Sequence, residues 1–393
     1  MTCIFRLPLL DPSQKVLGYK LAWQPRTGSA LPHLAQLAAP VTKHLAGEDA
    51  ASPAGDGLLF LEAPAGSFTP ASLRGLAPAR TVVSFAAAEL AEPAIAAVAG
   101  VLRQDGFGVC VRGPAEAGLQ TLCTHREIDW GEAARARQLP TAVEAAATQP
   151  RVLASGLEHP EEYQASAALG LHAFAGTHLL ASAPAQAGGR MASGSVLILQ
   201  LMQMVQDNAD VRQIETALKR DAALAYQLLR HLNSASFGFG VEVQSLRHAV
   251  TMMGYGPLFR WLSVLLARSS AQPASPALLE AAVVRGRFTE LLGQGMLPKR
   301  DGENLFVTGM FSLLDRLLGV PMTEVLDKVQ LPDAVVQALR TRGGMYGPFL
   351  QIAEACERAD GGAASLADAA FLTIEQVNRA HVAALAWAQG LRA

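Results

Sequence analysis

Two hydrophobic periods divide the chain. Up to about residue 185, short apolar runs of strand character alternate with stretches of helical spacing; beyond Ser193 only the helical period is found. The runs at 4–7, 16–21, 58–61, 81–85, 108–111, 127–129, 152–154 and 173–176 predict strands. Stretches near 34–45, 92–104, 132–147 and 160–168 predict helices. Strand–helix alternation argues a parallel sheet or barrel with helices outside it. A complete eightfold barrel typically takes about 250 residues, so a stretch of about 185 predicts a trimmed or incomplete one.

The second half predicts helices at 194–207, 210–219, 221–233, 245–253, 257–268, 276–293, 303–318, 321–329, 332–342, 348–359 and 374–389. Asp221 suits an N-cap, and Leu224, Leu228 and Leu232 then recur every fourth residue, giving one apolar side. Asn233, Ser234 and the glycines at Gly238 and Gly240 stop that helix. Ser245 caps the next, which closes at Gly254. Pro257, Pro276, Pro321, Pro332 and Pro348 suit first-turn positions. Leu258, Trp261, Leu262, Leu265 and Leu266 form a broad stripe that fits core packing. Between the halves, 181–190 is small, glycine-containing and free of large apolar residues, as a linker is. The expected division is therefore 1–185, a linker at 186–192, and 193–393 with the C-terminal helices.

Composition narrows the function. The chain has 393 residues and a formal net charge of -2, so it carries no electrostatic footprint for nucleic acid or an anionic membrane. Its cysteines, Cys3, Cys110, Cys123 and Cys356, have no Cys-x-x-Cys spacing and fit reduced core thiols in a cytoplasmic protein. The most apolar stretch, 258–267, contains Arg260, and no charged-then-apolar leader opens the chain, so neither membrane insertion nor secretion is expected. Nucleotide-binding loops and hydrolase elbows are not found.

Certain residues carry a resemblance. Asp221, then Leu228-Leu229-Arg230, then Asn233-Ser234-Ala235-x-Phe237-Gly238, then Ser245-Leu246-x-x-Ala249 and Gly254, resemble the HDOD module of bacterial signalling proteins. That module is an all-helical relative of the HD phosphohydrolases that has usually lost their metal ligands. The likeness covers roughly 193–360. Where a resembling enzyme would carry its His-Asp pair, this chain has Gly309-Met310-Phe311-Ser312-Leu313-Leu314-Asp315. His231, His248 and His381 fit satisfied or surface histidines, with no second histidine at i+3 or i+4. Arg230 and Asn233 are the polar candidates: Arg230 to pair with Asp221 or another acid, Asn233 to cap a helix end or to recognise a ligand.

The first half has a resemblance of its own. Leu7-Pro8-Leu9-Leu10-Asp11 with Gly18-Tyr19-Lys20-Leu21, and Leu153 to Glu158 with Phe174-Ala175-Gly176, resemble the two ends of the EAL barrel of cyclic-di-GMP phosphodiesterases. An active member holds two metal ions on strand-end carboxylates, with a lysine that activates water; the ions generate the nucleophile and neutralise the phosphate. Carried over residue by residue, the signature glutamate falls on Lys20, the next asparagine on Glu62 and the next glutamate on Phe85. The paired aspartates fall on Arg112 and Gly113. The lysine of Lys-x-Asp falls on Glu127, with Asp129 kept. The late glutamate falls on Ser155, with Glu158 kept, and a glutamine on Ala175.

Inward cations at Lys20 and Arg112 would repel a dication; without a metal they could bind a phosphate.

The expected architecture is α/β plus all-α, a truncated EAL-like (β/α) barrel followed by an HDOD helical bundle. The resemblances imply a catalytically inactive, cytoplasmic signalling protein. It would need no cofactor and act as a scaffold for regulatory proteins, compatible with a homodimer. The alternatives are a non-hydrolytic cyclic-di-GMP receptor, or an enzyme with a relocated metal site.

Overall fold

A computed structural model describes residues 2–24, 30–47, 51–66, 68–113, 119, 121–131, 135, 139–140, 151–181, 193–233, 243, 245–269, 275–298, 301–329, 331–358 and 361–389. The expected linker and most of the helix expected at 132–147 lie outside these residues. Within them the chain forms two compact units. One gathers residues of 1–183, 276–280 and 348–389; the other gathers residues of 184–275 and 281–347.

In the first unit all eight expected strands form: β1 (Ile4–Leu10), β2 (Val16–Trp23), β3 (Leu58–Glu62), β4 (Thr81–Ala86), β5 (Gly108–Arg112), β6 (His125–Asp129), β7 (Arg151–Leu157) and β8 (Ala173–Gly176). They close into a barrel in chain order. β1 runs antiparallel to both β2 and β8, and every other pair is parallel. The sheet is therefore complete, and the economy of length lies in the connections: β6 starts thirteen residues after β5 ends.

Because strand side chains alternate, each strand sends every second residue inward. Leu9, Phe60, Val82, Cys110, Leu153 and Ala175 form a buried cluster. Outside the sheet lie α1 (Leu34–Leu45), α2 (Ala87–Leu90), α3 (Pro93–Gln104), α4 (Pro160–Ala168) and α5 (His178–Ala181).

The second unit contains α6 (Ser193–Gln206), α7 (Val211–Leu218), α8 (Ala222–Leu232), α9 (Leu246–Met253) and α10 (Tyr255–Arg268). Most of α11 (Pro276–Gly293) follows, then α12 (Asp301–Phe311), α13 (Leu314–Leu318), α14 (Met322–Lys328) and α15 (Asp333–Thr341). Asp221 caps α8 by accepting from Ala223 and Leu224, and Ser245 caps α9 by accepting from His248. The stripe on α10 is core: Leu258, Phe259, Trp261, Leu262 and Leu266 are buried.

The helix expected at 303–318 is two helices. Ser312 bonds back to the Gly309 carbonyl at 2.6 Å and accepts from Arg285 at 2.6 Å, and such local bonds compete with helix continuation.

The C-terminal helices depart from the expected division. α16 (Gly347–Ala355), α17 (Ala363–Ala369) and α18 (Ile374–Gln389) were expected to extend the helical domain, but residues 348–389 belong to the barrel unit. Buried polar bonds to β1 and β2 hold them there. Arg6 pairs with Glu357 at 2.6 Å, both almost fully buried. The Asn378 amide accepts from Ile4 N at 2.8 Å and donates to Thr2 O at 3.2 Å. Gln24 donates to the carbonyl of Ala355 at 2.6 Å. Arg6 also meets His381 Nε2 at 3.1 Å. A guanidinium only donates, so Nε2 accepts and the ring is neutral; burial, with the Arg6 charge beside it, holds His381 well below the usual histidine range.

Candidate functional site

Four of the expected site positions, Lys20, Glu62, Arg112 and Glu127, meet on the parallel strands, near the ends where a barrel of this kind displays its chemistry. Lys20 on β2 is 5% exposed and Glu127 on β6 is 1% exposed. The Lys20 ammonium sits 2.5 Å from Glu127 Oε1 and also pairs with Glu62 of β3. Arg112, at the end of β5, reaches the other Glu62 oxygen at 3.2 Å. Register makes the cluster: Arg112 and Glu127 are direct neighbours across the β5–β6 ladder.

These two cations and two carboxylates are mutually neutralising, as buried ions must be. Burial pulls the Lys20 ammonium down, but the charges of Glu127 and Glu62 outweigh it, so its affinity for the proton is raised. Burial pushes the Glu62 carboxyl up, and Lys20 and Arg112 overcome that to hold it below the usual range. Both inward cations are therefore engaged by the chain's own carboxylates. An incoming phosphate would have to displace Glu62 from Lys20 and Arg112.

A cavity of about 270 Å³ opens beside the cluster, lined by Trp23, Glu62, Ser84, Glu89 and Arg112 among others. Phe85 takes no part. It is 1% exposed, and alternation along β4 turns it away from the side on which Ser84 and Ala86 line this cavity. Glu89, absent from the expected set, is held as a cap, accepting from Ala65 N and Ala86 N at 2.9 Å each. A glutamate three residues beyond a strand end, opening a helix, was the available sign.

The remaining expected positions have local roles. Gly113 follows β5 with a left-handed φ of 92°. Asp129 accepts from Gly131 N at 3.0 Å in a tight turn. Ser155 is buried opposite Asp129 in the β6–β7 ladder. Glu158 is exposed, and its N–H donates to Glu162 at 2.8 Å at the start of α4. Ala175 is core. Among the described residues no group of three or more His, Cys, Asp or Glu side chains is placed to hold a metal. The residues of the mouth do not fit a pair of dications, because an ammonium occupies the centre of the carboxylates.

In the helical unit, the stretch resembling an enzyme's His-Asp helix is filled by packing. A Cβ on Gly309 of α12 would lie 2.6 Å from the Arg285 carbonyl and 2.8 Å from Gly286 Cα of α11. The two backbones touch, and Thr289 bonds across to the Leu305 carbonyl at 2.8 Å. Arg230 is exposed on the last turn of α8, and Asp221 is occupied as the N-cap. The Asn233 side chain holds the Val243 peptide from both sides, donating to its carbonyl at 3.0 Å and accepting from its N–H at 2.8 Å. It thereby fixes residue 243 two positions before the cap of α9, while its backbone N–H closes its own helix on the Leu229 carbonyl at 3.0 Å. Ser234 and Ala235 lie outside the described residues. His231 stacks on Trp261 with ring centres 6.1 Å apart, and His248 is exposed.

Comparison with known proteins matches residues 192–323 to the HDOD domain. This segment is an HDOD domain. The residues before it form the closed eight-stranded barrel.

Cyclic di-GMP phosphodiesterase CdgJ of Vibrio cholerae is 32% identical over 166 residues, 42% of this chain and 38% of that protein. YuxH of Bacillus subtilis is 24% identical over 160 residues, 40% of this chain and 39% of that protein. The aligned region thus spans about two-fifths of the length of these relatives.

Among solved structures, the chain is similar to PaMucR phosphodiesterase in its c-di-GMP complex. That match has a TM-score of 0.34 and 15% identity, covering 44% of this chain and 88% of that one. Klebsiella pneumoniae BlrP1, a calcium and cyclic-di-GMP complex, gives a TM-score of 0.33 and 18% identity over 45% of this chain and 54% of that one. Among the described residues no helix is long and apolar enough to cross a membrane.

Proposed function

We propose that this chain is a non-catalytic signalling protein in cyclic-di-GMP-related regulation, acting as an interaction scaffold. One observation carries the proposal: the Lys20 ammonium lies between Glu62 and Glu127, where the EAL resemblance calls for metal-binding groups. The resemblance gives a glutamate at position 20 and a lysine at 127; this chain has the two charges exchanged and paired with each other. Phosphodiester hydrolysis on two metals needs carboxylates free to bind them, and here they neutralise a lysine. The close crossing at Gly286 and Gly309 supports the same reading for the HDOD domain. The tie to cyclic di-GMP rests on the resemblance and on the relative named a cyclic di-GMP phosphodiesterase.

The test is incubation of the full chain with cyclic di-GMP and Mg²⁺ or Mn²⁺, followed by chromatography. The dinucleotide is expected to stay intact; linear product above a no-protein control would refute the proposal. Saturable binding without turnover would favour the receptor reading, for which the cavity beside Arg112 is the place.

A further inference from the structure

The HDOD-bearing unit holds a second cavity, of about 480 Å³, that the proposed function does not use. It lies among α6, the first turns of α10 and α12, and the segment entering α15. Gln203, Tyr255, Phe259, Glu303, Asn304 and Pro332 are on its wall. Tyr255, Asn304 and Gln203 each direct a side-chain donor of that wall into the protein.

The Tyr255 hydroxyl donates to the Ala209 carbonyl, leaving only lone pairs on the phenol oxygen. The Tyr346 hydroxyl donates to Asp301 Oδ1 at 2.9 Å, so it must accept the Asn304 Nδ2 donor at 3.1 Å. That fixes the Asn304 amide and leaves its Oδ1 as an acceptor. Gln203 Nε2 is likewise held by both Asp207 oxygens at 2.9 Å, and Gln203 Oε1 is buried with no donor. Glu303 adds a carboxyl group. The neighbouring cation, Arg260, pairs with Glu290 at 2.6 Å and lies over the Phe306 ring, 4.7 Å from its centre.

We propose that this cavity is a binding site for an organic cation bearing a primary ammonium or guanidinium group, with Glu303 as counter-ion and the amide and phenol oxygens as acceptors. The match is one of hydrogen-bond type. An ammonium offers three donors and a guanidinium five, and neither accepts. A phosphate brings only acceptors to a wall with no cation among its described lining residues. The aromatic residues Tyr255 and Phe259 suit the alkyl stem and the cation itself. Partial burial raises the Glu303 carboxyl; Arg260 opposes this and Glu290 adds to it.

The cation could be a free polyamine or a Lys or Arg side chain of another protein. Calorimetry on the full chain separates them, with spermidine in one arm and an acetylated, amidated lysine tripeptide in the other. At least one probe is expected to bind one-to-one, and the tighter arm names the source. Glu303→Gln, at an exposed position, should weaken that binding at least tenfold. Glu215→Gln, whose carboxylate pairs with Lys219 and Arg247 on another surface, should leave it unchanged. Saturation by neither probe at millimolar concentration, or binding indifferent to Glu303→Gln, would overturn the proposal.

Discussion

Replacing Lys20 by methionine tests the charge cluster at its centre. The substitution keeps the length of the side chain and removes the cation from Glu127, which is 1% exposed, and from the partly buried Glu62. Glu62 retains Arg112 at 3.2 Å, so the uncompensated charge falls chiefly on Glu127. Removing one partner of a buried pair costs about 3–5 kcal/mol, because the other charge is left without its solvation or its counter-ion. For a unit of this size that lowers the melting temperature by roughly 10 °C.

The double variant Lys20→Met, Glu127→Met exchanges the pair for apolar groups and should recover most of that loss. Thermal and urea unfolding of wild type, both single variants and the double variant gives the coupling energy directly. A Lys20→Met cost below about 1 kcal/mol, with no coupling in the cycle, would mean these charges are solvated as surface pairs are. The reasoning would then fail.

Two further perturbations address other parts of the molecule. Asn233→Leu removes both bonds to the Val243 peptide and should cost about 1–3 kcal/mol, read as a lower melting transition of the helical unit with the barrel transition unmoved; unchanged stability with lost ligand or partner binding would make Asn233 a recognition residue instead. Burial, with Arg151, His172 and Arg103 nearby, pushes His125 down to about 4, and burial pushes His178 down to about 4 against the pull of the Leu157 carbonyl and Glu162. Both rings are neutral in the fold through a window, from about 6.5 down to about 4, in which the unfolded chain takes up protons. Stability should therefore fall as pH drops through it, by up to about 3 kcal/mol per histidine; denaturant midpoints equal at pH 7 and pH 4.5 would contradict this.

The strands were legible because period-two alternation is local: each of the eight lies within a few residues of its expected place. The helices with strong caps, such as that of Asp221, were equally plain. α17 escaped because its buried positions, Ala363 and Ala367, make no apolar stripe. The allegiance of the C-terminal helices was hidden for a different reason. It depends on bonds such as Arg6 to Glu357 and Ile4 to Asn378, made across more than 350 residues, and no local pattern announces such a pairing. At the candidate site, the resemblance located Lys20, Glu62, Arg112 and Glu127, but it said nothing of their pairing with one another. Phe85 faces the other side of its strand, and Ser84 and Ala86 line the mouth cavity in its stead.

Metal affinity tests the central claim most directly. Titration of the full chain with Mn²⁺, followed by the paramagnetic resonance of the free ion, reports occupancy without requiring turnover. With Lys20 seated between Glu62 and Glu127, the signal should grow in proportion to added metal up to millimolar concentration. Tight stoichiometric uptake, lost on Glu62→Gln, would show that these carboxylates serve a metal and contradict the account.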